Sequence, residues 1–243
     1  MNPARVVSVV MVLVLGTCPA AQEPARKNPA LLEAAFNNLP IHFIQNRGVY
    51  PDEVKFYVLG ADKTLFFARD GITFRLKDKD RGWVVKLAFV GSNPDVHPRG
   101  EDRQAAVFSY FRGPESAWRT GLETYAKVVY EGLWPEIDLV YSCTGHELKY
   151  EFVVKPGANS EKIRLQFRGA TGLRITESGG LRIEVPAGRL EDEPPVAWQK
   201  NDGKRLSCSG DPGFLKSIII ARTLVPTTLP WFRTPSELFS PLA

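Results

Sequence analysis

The chain lacks several features that mark common classes of protein. It has only three cysteines among 243 residues, and beyond the N-terminal segment only Cys143 and Cys208 remain. Two isolated thiols are too few for a zinc site, and their spacing alone does not reveal whether they pair. No run of Lys or Arg exceeds two residues and the net charge is only +4, so no basic face for nucleic acid is predicted.

Catalytic motifs are also missing. There is no Gly-x-Ser-x-Gly sequence that would place a nucleophilic serine. His146-Glu147 begins like a zinc-protease helix, but Tyr150 stands where the second histidine is required, and the segment alternates like a strand. No loop has the regular spacing of a calcium site. The sequence therefore predicts a protein that is not an enzyme, with no catalytic residue, no cofactor-binding residue, no metal ligand and no cofactor.

Acidic pairs leave one alternative open. Glu136 and Asp138 flank Ile137, and residues 191–193 read Glu-Asp-Glu. Two carboxylates across a sugar cleft would serve a glycoside hydrolase, although acids beside loops are usually solvated. A degenerate glycoside hydrolase therefore stays an alternative hypothesis.

Aromatic residues suggest a second alternative, a carbohydrate-binding module. A sugar platform could be lined by six of them: Trp83, Tyr110, Phe111, Trp118, Trp134 and Trp198. Aromatic residues also favour strands and cores, and packing is the preferred interpretation for most of the six. No binding residue is assigned.

The N-terminus predicts export. A basic start ending at Arg5 is followed by the apolar run 6–15 and by small residues up to Ala21. This is the pattern of a signal peptide over residues 1–21, cleaved after Ala20 or Ala21. The mature chain has no later apolar run long enough to span a membrane. We expect an extracellular, cell-surface or periplasmic location; a lipid anchor at Cys18 is less favoured, because Thr17 fits a lipobox poorly.

The mature chain divides into three parts. Residues 22–40 are predicted to form a polar tether with a short helix at 31–38, and residues 41–205 a β-rich domain of one or two sub-sheets. Short alternating stretches separated by turn residues indicate an all-β fold, either an antiparallel β-sandwich or an extended meander. Asp70-Gly71 is the predicted two-residue turn of one hairpin. Residues 206–243 are predicted to be an irregular tail.

Alternation also predicts which side chains are buried. In residues 148–154 and 163–167, large apolar side chains alternate with polar ones, so one face of each strand should lie on the core. Tyr150, Phe152 and Phe167 are accordingly expected to be buried.

Several motifs within the β-rich part resemble one known family. They are FIQNRG (43–48), VKFYVLG (54–60), TLFFARDGITFRL (64–76), LAFVGSNP (87–94), the run 109–141, the run 148–175 and the run 179–199. In order and as a set they resemble the N-terminal β domain that precedes SBBP repeats, predicted β-propeller repeats of large secreted bacterial proteins. That domain has no known function, so the resemblance implies export, a β architecture and neighbouring repeats, but no site residue.

The chain departs from this family in its tail. After Arg205 the expected Pro-Leu-Val-Ile-Asp-Pro segment is absent, and the hypothesis is that the tail is out of frame and the protein truncated. The predicted function is a non-catalytic extracellular or cell-surface structural or binding module. The sequence does not identify its partner; a protein and a polysaccharide at the cell exterior are the two candidates.

Overall fold

The computed structural model describes residues 6–14, 41–60, 63–78, 81–144, 147–186, 188–201 and 204–208. These residues form sixteen β-strands and two single 3₁₀ turns, at Glu115–Ala117 and Ser160–Lys162. The strands are β1 (Val6–Val14), β2 (Phe43–Gln45), β3 (Val54–Leu59), β4 (Lys63–Ala68), β5 (Gly71–Asp78), β6 (Arg81–Phe89), β7 (Arg99–Tyr110), β8 (Arg119–Trp134), β9 (Ile137–Thr144), β10 (Glu147–Val154), β11 (Leu165–Arg168), β12 (Gly172–Ile175), β13 (Leu181–Val185), β14 (Gly188–Asp192), β15 (Val196–Asn201) and β16 (Lys204–Cys208).

The strands form one antiparallel sheet that curls on itself. One half has the order β11-β6-β5-β4-β3-β2, and the other has the order β9-β10-β1-β14-β13-β12. Strand β15 pairs with β1 and with β16. The predicted all-β antiparallel fold is confirmed: the connections are largely those of a meander, and the two halves pack face to face.

Strand β8 joins the two halves. On one edge it pairs with β2 at Thr124 and Tyr125, and further along with β9 from Lys127 to Trp134. Its other edge pairs with β7 along most of its length. Sixteen residues are long enough to take part in both halves, so β8 acts as the corner at which the sheet turns.

A layer of aromatic rings fills the space between the halves. Phe67 of β4 meets Tyr141 of β9 with ring centroids 5.2 Å apart, and Phe89 of β6 meets Tyr130 of β8 at 5.3 Å. Both contacts are edge to face, the arrangement that the ring quadrupole favours. Burial of each such side chain contributes about 1.5–3 kcal/mol.

The polar atoms of this layer also bridge the halves. The buried Tyr130 hydroxyl donates to the carbonyl of Ala68 at 2.9 Å. The Nε1–H of Trp134 donates to the carbonyl of Val90 at 3.1 Å. Aromatic side chains thus bury their area without leaving these donors unsatisfied.

Strands β2, β3 and β4 are buried on both faces. Alternate residues enter the layer between the halves, while Ile44, Tyr57 and Phe66 enter a second cluster on the outer face. Leu122, with the partly buried Phe108 and Tyr110 of the β7–β8 hairpin, covers that cluster. This explains why every residue of KTLFFA is buried, whereas strand β10 alternates.

The predicted core residues are confirmed. Tyr150, Phe152 and Phe167 are at most 5% exposed, and their strand neighbours Glu151 and Gln166 are half-buried. The register of the two alternating segments is therefore the one that their apolar periodicity indicated.

One predicted turn is shifted by a residue. Ala68 pairs with Gly71, so the two turn residues are Arg69 and Asp70 rather than Asp70 and Gly71. Gly71 opens β5 with φ +153°, and a Cβ there would lie 2.1 Å from the Leu87 carbonyl oxygen. Both this backbone conformation and the close approach of the neighbouring strand β6 require the glycine.

The two ends of the chain differ from the prediction or lie outside the described residues. Val6–Val14, predicted as the apolar core of a signal peptide, forms strand β1 between β10 and β15. Strand β16 extends to Cys208, slightly beyond the predicted domain end at 205. The predicted helix at 31–38 and nearly all of the tail lie outside the described residues. Within those residues there is no helix long and apolar enough to cross a membrane.

The aromatic layer predicts a large effect of Phe152→Ala. We expect a loss of about 3–5 kcal/mol in the free energy of unfolding, because the side chain is fully buried against Trp134 and Tyr150. Urea denaturation measures it. Phe111→Ala, the same change at a ring that is 62% exposed, is the matched control and should cost less than about 1 kcal/mol. Equal losses would contradict the packing described here.

Candidate binding surface

The FIQNRG segment forms a loop built around one side chain. The Nδ2 group of Asn46 donates to the carbonyls of Tyr50 and Val54 at 2.9 and 2.8 Å. Its Oδ1 accepts from the backbone N–H groups of Val49 and Tyr50 at 3.1 and 3.0 Å. Asn46 therefore holds the connection between β2 and β3, and the role that the structure gives this motif residue is structural.

The first acidic pair serves a turn. Asp138 accepts the Gly132 N–H at 2.7 Å, where β8 bulges away from β9, and its other oxygen lies 3.4 Å from Lys155 Nζ. Glu136 is exposed in the turn before β9, at φ +59°, and its backbone carbonyl accepts the Lys155 N–H. The two acids therefore do not face each other across a cleft.

The second acidic group, residues 191–193, contains one buried carboxyl. The expectation of solvated acids is wrong for Asp192, which is 5% exposed. Its Oδ2 accepts a hydrogen bond of 2.5 Å from the Tyr150 hydroxyl, and among the described residues its Oδ1 has no hydrogen-bond partner. Its neighbour Glu191 instead forms surface ion pairs with Arg182 and Arg189. Alternation along β14 directs one acid of the run inward.

Burial sets the protonation of this pair. The pKa of Asp192 is raised to about 7, chiefly because burial penalises the charged carboxylate; the Tyr150 hydrogen bond opposes this and the charge of Glu193 adds to it. Burial, then the Asp192 charge, raises the pKa of Tyr150 well above its ordinary value. The pair faces the core, and each of the two side chains is only 5% exposed.

The six candidate aromatics do not form one platform. Trp134 is buried, and Trp83 is half-buried with its Nε1–H on the Gly169 carbonyl at 3.2 Å. Tyr110 packs on the outer cluster and its hydroxyl lies 3.1 Å from that of Tyr57. Trp198 is half-buried on β15. Packing is therefore the role of Trp83, Tyr110 and Trp134, in agreement with the preferred interpretation.

The other two aromatics meet at the tip of the β7–β8 hairpin. Phe111 is 62% exposed and Trp118 is 39% exposed, and their rings contact edge to face with centroids 5.1 Å apart. Val107 on the same hairpin is 58% exposed. Exposed side chains of this size are the usual anchors of protein–protein contacts. We call residues 111–118 the hairpin tip.

Backbone and side-chain hydrogen bonds hold the hairpin tip in shape. The Trp118 Nε1–H donates to the Gly113 carbonyl at 3.3 Å, and the Trp118 backbone N–H to the Glu115 carbonyl at 3.0 Å. Arg119 Nη1 donates to the carbonyl of Trp118 at 3.1 Å. The exposed rings are therefore presented in a set orientation, which lowers the entropy lost when a partner binds.

The remaining polar features of the described residues do not form a second candidate site. They contain no group of three His, Cys, Asp or Glu side chains that could hold a metal ion. An open depression of about 590 Å³ lies beside the β12–β13 turn and is lined in part by Arg174 and Arg182. Cys143 is half-buried, and burial raises the pKa of its thiol to about 12. His146 and the side chain of Cys208 lie outside the described residues.

These features define an all-β domain with a closed aromatic core and one exposed aromatic hairpin tip. The chain belongs to the family described as domain of unknown function DUF7948, whose sequence model matches residues 43–210. No curated protein and no solved structure matches the chain. The resemblance to a family of unknown function is confirmed at this level, and the link to SBBP repeats stays a prediction.

The Asn46 loop predicts a selective loss of stability. Asn46→Ala should lower the free energy of unfolding by about 2–4 kcal/mol, because several partly buried backbone groups lose their partner. Arg47→Ala removes the next side chain, which is exposed, and should cost less than about 1 kcal/mol. Chemical denaturation of both variants compares them. A small loss for Asn46→Ala would show that the loop does not need this side chain.

Asp192 predicts a pH dependence of stability. Its folded pKa of about 7 lies above its ordinary value of 3.8, so folding takes up a proton between those values. The wild type should therefore lose stability as the pH rises through this range, whereas below it the carboxyl is protonated in both states and contributes nothing. Asp192→Asn should remove this pH dependence. Between about pH 4 and pH 8 its free energy of unfolding should rise relative to that of the wild type by up to roughly 4 kcal/mol.

The control for this pH experiment is Glu191→Gln. The substitution lies one residue away on the exposed face of the same strand, where Glu191 pairs with Arg182 and Arg189. Its unfolding free energy should follow the wild-type pH dependence. A flat pH profile for the wild type would show that Asp192 is ionised in the folded chain over the whole range.

Proposed function

We propose that this chain is a non-catalytic, exported binding module that contacts a protein partner through the hairpin tip. The observation that carries the proposal is the exposed pair of Phe111 and Trp118 at the end of a long hairpin, with the Trp118 indole hydrogen-bonded to the Gly113 carbonyl. An aromatic pair exposed in this way is costly in water unless another surface covers it. Among the acids considered for catalysis, Asp138 supports a turn, Glu191 forms surface ion pairs and Asp192 lies in the core, which supports a non-catalytic role.

A protein partner is favoured over a polysaccharide by the geometry of the rings. Stacking on a sugar requires a flat aromatic face, and neighbouring rings that form a platform present their faces together. Phe111 and Trp118 are nearly perpendicular, with an interplanar angle of 87°. This arrangement presents one edge and one face, which suits a pocket on a protein surface.

A carbohydrate-binding module is the second candidate. The exposed Trp118 is the specific observation that favours it, since a single indole face can stack on one sugar ring. On this hypothesis Trp118 alone would carry the affinity, and Phe111 would serve as its support.

The surroundings of the module are proposed from the sequence. Residues 1–21 have the pattern of a signal peptide, and the motif set resembles the domain that precedes SBBP repeats in secreted bacterial proteins. We therefore propose that the module works at the cell exterior, as part of a protein related to those repeat proteins.

Photo-crosslinking in the native host tests the proposed surface. A benzoylphenylalanine at Phe111 should give a discrete protein adduct on irradiation of intact cells, and Trp118→Ala in the same chain should abolish it. The same probe at Ile175, 40% exposed on β12, is the matched control and should give no such adduct.

Two other outcomes would count against the proposal. Adducts of equal yield at Phe111 and Ile175 would mean that the hairpin tip is not a selective contact. Retention of the chain on insoluble polysaccharides, lost in Trp118→Ala but kept in Phe111→Ala, would favour the carbohydrate-binding module.

A further inference from the structure

Strand β1 occupies a central position in the sheet. On one side it pairs with β10 from Val7–Val154 to Leu13–Leu148. On the other side it pairs first with β15, from Val6 to Val10, and then with β14 at Leu13 and Val14. Both edges of a nine-residue strand are thus hydrogen-bonded, as in the interior of a sheet.

The rest of the sheet depends on this strand. Among the strands described, β12, β13, β14, β15 and β16 are joined to the remaining strands by backbone pairing only through β1. Without it, the open edges of β10 and of β14 and β15 would face each other across a gap one strand wide. Unpaired backbone groups in such a gap are costly and readily accept another strand.

The strand that fills this position comes from outside the family domain. The family match begins at residue 43, whereas β1 ends at Val14. The same residues, VVSVVMVLV, form the apolar run of the predicted signal peptide, which export would remove. The domain therefore has a strand position that residues 43–208 leave for another segment.

We propose that in the exported chain this position is a strand-acceptor site, filled by an extended apolar segment of a second protein. The inference rests on the proposed export. The occupant seen in the structure defines the partner chemistry: about nine uncharged residues, mostly β-branched, that pair antiparallel with β10 and β15. Main-chain hydrogen bonds on both edges supply the affinity, as in other cases of strand addition.

A peptide experiment tests the site on a chain that folds with β1 in place. A protease site is introduced within residues 22–28, and cleavage leaves β1 seated but no longer covalently attached. A fluorescent peptide of residues 4–16, flanked by lysines for solubility, should then exchange into the site with saturable binding of one peptide per chain. The chain that starts at Gln22 should bind the same peptide and gain thermal stability from it.

Two peptide variants serve as a matched pair. Val10→Pro removes an N–H from a residue that pairs on both edges, with Glu151 and Val196, and should weaken binding by about tenfold or more. Arg5→Pro makes the same change just outside β1 and should bind like the parent peptide. Equal binding of both would show that the peptide adheres without entering the sheet, which overturns the proposal.

The chain that starts at Gln22 gives the remaining outcomes. If it is unfolded alone and folds when the peptide is added, the site is a strand acceptor. If it is folded, monomeric and indifferent to the peptide, its own strands or residues 209–243 close the gap. If the chain forms dimers that the peptide does not dissociate, a second copy of the chain fills the gap. A chain that ignores the peptide and a chain that dimerises would each overturn the proposal. N-terminal sequencing of the exported protein separately tests the export on which the inference rests.

Discussion

The contact between the two halves of the sheet is the interaction on which the rest of the structure depends. Phe67 and Tyr141 meet across that contact, and Tyr130 and Trp134 add hydrogen bonds from their polar atoms to backbone carbonyls on the opposite half. An edge-to-face aromatic layer buries much area with few side-chain rotamers to restrict, which suits a domain without a described metal site or disulfide.

This packing also separates structural residues from residues available for binding. The motifs that carry the family resemblance supply residues of the aromatic layer and of the Asn46 loop, and one of them, the run 109–141, also includes the hairpin tip. The hairpin tip contains the exposed rings of Phe111 and Trp118, which contribute nothing to that layer. A rigid scaffold that displays one apolar tip can bind a partner without a cleft.

Much of the fold could be predicted from the sequence, and less of the candidate site. Alternation placed Tyr150, Phe152 and Phe167 in the core, because a strand with one wet face has a period of two. The sequence did not distinguish the two aromatic residues of the hairpin tip from the other four candidates, because exposure depends on which loop projects from the sheet. Asp192 was expected in solvent, because the acidic run gives no sign of which carboxyl faces inward.

The sequence by itself determined the all-β class, the antiparallel hairpins and the inward faces of the alternating strands, because these depend on local periodicity and turn chemistry. Only the tertiary structure decided the rest. Pairing with the distant strand β2 makes β8 the corner of the sheet, and other long-range contacts place Val6–Val14 between β10 and β15 and bring Asp192 to Tyr150 across that strand. Each joins residues far apart in the chain, and such contacts are selected by how well the whole core closes, not by any local pattern.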